Sequence, residues 1–102
     1  MDKIGYIYIM ANNANTVLYI GVTSDLVRRV NEHKNHTYKG FTERYNCEKL
    51  VYFEQYGDIE TAIEREKKLK RWHREWKNNL ISEKNPEWID LAEGLFTLSS
   101  RT

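Results

Sequence analysis

The stretch VLYIGVTSDLVRRVNEH, residues 17–33, begins as a β-strand and ends as an amphipathic helix. In VLYIG, Leu18 and Ile20 share one face and Val17 and Tyr19 the other, because strand side chains alternate. TSDL then supplies a helix start: Thr23 or Ser24 can cap, and Asp25 suits the first turn. The helix is expected to run to about Lys34 on the apolar residues Leu26 and Val30. Leu26, Arg29, Val30 and His33 are spaced by three and four, which puts them on neighbouring rows of one surface. Arg28 points to solvent.

Working outward, GYIYIM at 5–10 alternates Tyr6, Tyr8 and Met10 with Ile7 and Ile9, as a strand with two different faces does. ANNANT at 11–16 reads as the loop of a hairpin, since Asn tolerates turn conformations. The Ile/Leu side of that hairpin should face the core, which leaves the tyrosines on the opposite, non-core face. Residues 35–47 read as a polar loop with a short helical turn, and KLVYFEQY at 49–56 as a third strand. Asp58 can cap a long helix over 59–81, and Pro86 bars its simple continuation. A short final helix is expected over 87–93. The fold class is therefore α+β: a small three-stranded antiparallel sheet flanked by helices.

A chain of 102 residues is expected to form one domain, over 1–93, with 94–102 a loosely held tail. Apolar residues at 40% and charged residues at 30% describe a globular chain. No run approaches the roughly 18 apolar residues of a membrane span, and no signal peptide is visible. The single cysteine, Cys47, excludes an internal disulfide and a cysteine-built zinc site, which fits a cytoplasmic protein best. Net charge is only +1, so any affinity for phosphates must come from a local patch. EREKKLKRWHREWK at 64–77 offers one, with seven Lys or Arg against three Glu, and reads equally well as a solvated helix face.

Glu66 breaks the packing pattern. Ile59, Ala62, Ile63, Glu66, Leu69 and His73 form the stripe that should face the protein, and an unpaired buried carboxylate is costly. It requires a cationic partner, a metal ion or a wet cleft. By pattern alone Arg29 and Glu66 fit a structural ion pair, His33 a polar filler, and the tyrosines ordinary packing.

Taken together these residues resemble the GIY-YIG nucleases. YIY at 6–8 and YIG at 19–21 match the paired motif, with Tyr19 eleven residues after Tyr8. Arg29 lies eight residues after Gly21 and His33 four beyond Arg29; Glu66 and Asn78 take the places of the family's metal-binding glutamate and late asparagine. LYIGVTSDLVRRVNEHK, LVYFEQY, AIEREKKLKRW and NPEWIDL resemble its small single-domain bacterial members, over residues 4–91. One departure is Tyr6, which stands where the first motif has glycine.

The resemblance implies a metal-dependent endonuclease that hydrolyses phosphodiester bonds in DNA, structure-selective in repair or recombination. The cofactor is one divalent cation, Mg²⁺ or Mn²⁺, and the partner is nucleic acid, not membrane, for a monomer or weak homodimer. Tyr8, Tyr19, Arg29, His33 and Glu66 become the catalytic set, with Glu66 the metal ligand and Asn78 a support. Tyr8 is the expected proton acceptor, Tyr19 positions water or phosphate, and His33 orients Tyr8 or relays its proton. Lys67, Lys68, Lys70 and Arg71 become backbone contacts. The alternatives are a noncatalytic nucleic-acid-binding module that retains the fold, and a protein-interaction domain.

Overall fold

A computed structural model describes residues 4–36 and 44–95. The strands are β1 (Gly5–Ala11), β2 (Leu18–Thr23) and β3 (Lys49–Tyr56), arranged antiparallel in the order β2-β1-β3. The hairpin closes on Asn12, whose Oδ1 accepts from the Thr16 and Val17 amides at 2.9 and 3.0 Å. Asn15 takes the left-handed backbone that asparagine tolerates (φ 58°). Of the expected loop over 35–47, residues 37–43 lie outside the described residues.

Both faces of the sheet are buried. Ile7, Ile9, Ala11 and Ile20 pack under the helices that follow β3, while Tyr8 and Met10 pack with Leu26, Val30, Cys47 and Leu50 beneath α1 (Leu26–Lys34). The tyrosine side is therefore a second core, and the expectation of a non-core face was wrong. A small sheet with helices on both sides has no face left for water. The cap of α1 is also corrected: Asp25 itself accepts from the Arg28 amide at 3.2 Å, and Thr23 Oγ1 instead braces the Asp25 amide at 3.1 Å.

The helix expected over 59–81 is broken into α2 (Ile59–Arg71) and α3 (Arg74–Lys84) by extended backbone at Trp72 and His73. An uninterrupted helix over 59–81 would run for roughly 35 Å, against roughly 26 Å for the eight-residue β3. The break folds Ile81 and Leu80 back onto the sheet beside Leu69. It also lets Trp72 meet the Arg65 guanidinium, 5.2 Å from the ring centroid, while Arg65 clamps Glu54 of β3 at 3.0 and 3.1 Å. Asp58 caps α2 as expected, accepting from the Thr61 amide at 2.7 Å.

After α3 the chain ties itself to β3 before it turns helical. Asn85 is buried; its side-chain amide donates to the carbonyls of Val51 and Ile89 at 3.0 and 2.9 Å, and its Oδ1 accepts from the Ile89 amide at 3.1 Å. Leu91 and Asp90 then bond to the backbone of Leu50, and Trp88 stands at φ 54°. The helix expected over 87–93 is accordingly displaced to one turn at 92–95, capped by Asp90. Replacing Asn85 with Ala leaves the buried Val51 carbonyl without this donor, at a cost of about 1–3 kcal/mol. Thermal melting of Asn85→Ala should show a drop of roughly 5–15 °C, whereas the exposed Asn79→Ala should melt close to wild type.

Candidate active site

β1 and α1 build the cluster at the centre of the molecule. Tyr8 sits mid-strand opposite Gly21 in the β1–β2 register, completely buried. Its hydroxyl lies 2.9 Å from His33 Nε2. Leu26 and Val30 anchor α1 over the sheet, and His33, one row further along the same surface, is carried down onto Tyr8 with only 1% of its surface exposed. Tyr19 completes a triangle of rings: its centroid is 6.2 Å from Tyr8 and 5.4 Å from His33, the latter edge-on. Unlike Tyr8, Tyr19 is only half-buried.

Gly21 is what lets Tyr8 lie there. A Cβ on Gly21 would fall 2.5 Å from both Cζ and the hydroxyl oxygen of Tyr8, so the phenol lies directly against bare backbone. The strand pattern did not identify this contact, because a glycine in a strand marks a weak position or a close approach without saying what approaches.

Arg29 and Arg28 divide as the helix geometry requires. Arg28 is 76% exposed along its side chain and Arg29 29%, and Arg29 Nε lies 3.1 Å from Glu32. Burial, then the nearby Arg29 charge, lower the His33 pKa to about 4 despite the opposing pull of Glu32. His33 is therefore a neutral imidazole at pH 7, whose Nε2 accepts from or donates to Tyr8 according to its tautomer.

Glu66 lies on α2 with its side chain 15% exposed, 3.2 Å from the ammonium of Lys70 one turn on. Among the described residues Arg29 thus pairs with Glu32 and Glu66 with Lys70, each on its own helix, and not with each other across the fold. Lys70 in turn lines a hollow of about 250 Å³ at the outer edge of β2, together with Leu18, Tyr19, Ile20 and Lys77. α2 so reaches the edge where Tyr19 emerges.

Other residues singled out in the sequence stand elsewhere. Asn78 on α3 accepts from Arg74 Nε at 2.8 Å, and Arg74 donates onward to the carbonyls of Asn15 and Thr16 in the hairpin loop. Asn78 therefore braces a clamp on the hairpin. Lys67, Lys68 and Arg71 are exposed, and Lys68 lines a separate groove with Tyr56, Thr61 and Arg65. Lys77 was missed; its spacing from Lys70 would suit one helix face, but the break at 72–73 makes their proximity a matter of tertiary folding.

Two consequences can be measured. Gly21→Ala forces the Tyr8 ring to move, and overpacking of this kind costs about 1–3 kcal/mol; His33 ring NMR shifts should change with the lowered melting temperature. His33 binds fewer protons folded than unfolded between pH 6.5 and about 4. Its contribution is present above pH 6.5 and lost as pH falls through that window, by up to about 1.4 kcal/mol per pH unit. The carboxylates of Glu54 and Asp90, held low by Arg65 and Lys34 against the effect of their burial, lose theirs only at lower pH, below the ordinary 4.5 and 3.8. Denaturant unfolding between pH 7 and 4.5 should therefore show a slope that His33→Gln flattens.

Comparison with known proteins gives a consistent answer. The model of the GIY-YIG catalytic domain matches residues 4–79. A UPF0213 protein of Haloquadratum walsbyi is 34% identical over 83 residues, covering 81% of this chain and 92% of that protein. Its counterpart in Staphylococcus saprophyticus is 35% identical over 83 residues, covering 81% and 99%. The solution NMR structure of a UPF0213 protein from Bacillus halodurans superposes with a TM-score of 0.54 at 26% identity, over 83% of this chain and 89% of that one. The helix-covered antiparallel sheet, the tyrosine pair on its hairpin and these matches agree: the chain belongs to the GIY-YIG superfamily, among its UPF0213 members, and is a nuclease-family protein.

Proposed function

We propose that the protein is a divalent-metal-dependent endonuclease that hydrolyses phosphodiester bonds in DNA, with Tyr8, Tyr19, Arg29, His33 and Glu66 as its working residues. The observation that carries this reading is the hydrogen bond between the buried Tyr8 hydroxyl and a neutral His33, with Tyr19 and Arg29 beside it. A buried phenol takes a hydrogen-bond partner in any core; here the partner is an imidazole of lowered pKa, and groups with shifted pKa values gather at reaction centres.

Hydrolysis joins a water oxygen to phosphorus and breaks the bond to the departing sugar oxygen. The water's proton passes to a base, and the sugar oxygen takes up a proton in its turn. Free tyrosine has a pKa of about 10, so a phenol serves as that base only where its anion is stabilised. Arg29 supplies positive charge and a planar fork for phosphate oxygens. With a pKa of about 4, His33 is a poor store for a proton from Tyr8. Its role in this reading is to fix the phenol's direction, which favours orientation over relay. Tyr8 accepts the proton, and Tyr19, the ring that opens toward solvent, positions the water or the phosphate.

The residues present fit a cation of the Mg²⁺ type in one way. Among the described residues no group of three His, Cys, Asp or Glu gathers that could hold an ion. Glu66, already drawing a positive charge in Lys70, offers a single partly buried carboxylate. Mg²⁺ accepts one carboxylate with waters and substrate phosphate oxygens. Held by Glu66, such an ion would supply positive charge to stabilise the phosphoryl oxygens.

The test is a panel of branched, nicked, single-stranded and duplex DNAs with Mg²⁺ or with chelator. Wild type should cut at least one of them only with metal, and Glu66→Gln, Arg29→Lys and Tyr8→Phe should each lose roughly 100-fold or more. If Tyr19→Phe rather than Tyr8→Phe removes the rise of rate with pH, the two tyrosine roles are exchanged. Salt-dependent binding without any cutting would instead identify a noncatalytic binding module.

A further inference from the structure

Lys77 is half-buried on α3 and lines the hollow that Tyr19, Leu18, Ile20 and Lys70 share at the outer edge of β2. Its neighbours do not balance its charge. Lys70 is neutralised by Glu66 at 3.2 Å, but among the described residues Lys77 has no carboxylate partner. The charge it does feel is that of Arg74, which repels it, and burial together with Arg74 lowers its pKa. A lysine that merely covered apolar surface would lay its stem along Leu18 and Ile20 and send its ammonium to open water. Lys77 instead lines the hollow with Arg74 nearby, and the partial burial and like charge it meets there would be relieved by an anion.

We infer that Lys77, with Lys70 across the hollow, forms a phosphate-holding subsite for a nucleic-acid strand running along the outer edge of β2. This rests on the nuclease reading, in which Tyr19 faces the reacting phosphate. Tyr19 lines the same hollow, so a strand whose scissile phosphate meets Tyr19 brings a neighbouring phosphate to Lys77. The subsite would fix the strand's register without reading its bases, since phosphate contacts position and do not specify. Lys67, Lys68 and Arg71, exposed on other parts of α2, would contribute less to it.

Titration of a fluorescently labelled branched DNA without divalent cation separates binding from cleavage. Lys77→Met keeps the apolar stem and removes the charge, Lys77→Arg restores the charge, and Lys84→Met is a control for charge lost at the exposed end of α3. Lys77→Met should weaken binding roughly three- to tenfold near 100 mM salt and lower the salt slope by about 0.9. Lys77→Arg should recover most of both, and Lys84→Met should change neither by more than half as much. Unchanged affinity and slope in Lys77→Met, or an equal loss in Lys84→Met, overturns the subsite, as does a wild type that binds no DNA. If wild type cuts DNA while Lys77→Met binds normally, the subsite falls and the nuclease reading stands. If binding depends on Lys77 but Mg²⁺ elicits no cutting, the subsite stands and the nuclease reading falls.

Discussion

The phenol of Tyr8 occupies the space a side chain at Gly21 would need, and the arrangement of the site follows from that contact. β1 is the central strand, so its residues have a neighbour on each side and helices above and below. A ring placed there can lie flat only where the adjoining strand carries no Cβ. Opposite Tyr8 that position is Gly21, and the same strand turn leads through Asp25 into α1. The helix that Asp25 starts then brings His33 down on the Tyr8 hydroxyl. One missing methyl group thus connects the YIG sequence to the placement of an imidazole twelve residues later.

The charges around this cluster are balanced locally. Arg29 is paired with Glu32 and Glu66 with Lys70, each within one turn of its own helix. Such partly exposed pairs are worth only about 0–1 kcal/mol, so little is lost when one partner turns to a phosphate or a cation. By contrast, the pair between Glu54 and Arg65 is bidentate, joined by two tyrosine hydroxyls and covered by Trp72, and it holds α2 to β3. The firm ion pair belongs to the scaffold, and the exchangeable ones border the proposed reaction centre.

The break at Trp72 and His73 extends the same division of labour. It returns α3 to the sheet, where Arg74 clamps the hairpin loop with Asn78 behind it and Lys77 reaches the hollow beside Tyr19. A straight helix would have left α3 off the end of the sheet and the edge of β2 uncovered.

Strand alternation and helical spacing in residues 5–34 were sufficient to read the hairpin, the helix after it, and the common surface of Arg29 and His33, because these depend on local periodicity. Motif order was sufficient to recognise the family, and Asp58 as the start of α2 was legible from its capping chemistry. What periodicity could not decide was which sheet face meets water, since burial of the tyrosine face depends on a helix elsewhere in the chain. Nor could it place the break at Trp72, a residue with no intrinsic aversion to helix, because the limit on helix length is the length of the sheet it covers. Gly21 under Tyr8 and Lys77 beside Tyr19 are contacts across strands and across a kink, set by the tertiary structure alone. Local pattern determined which side chains share a surface; only the packing of the sheet against its helices decided which surfaces meet, and therefore where Tyr8, His33 and the lysines stand.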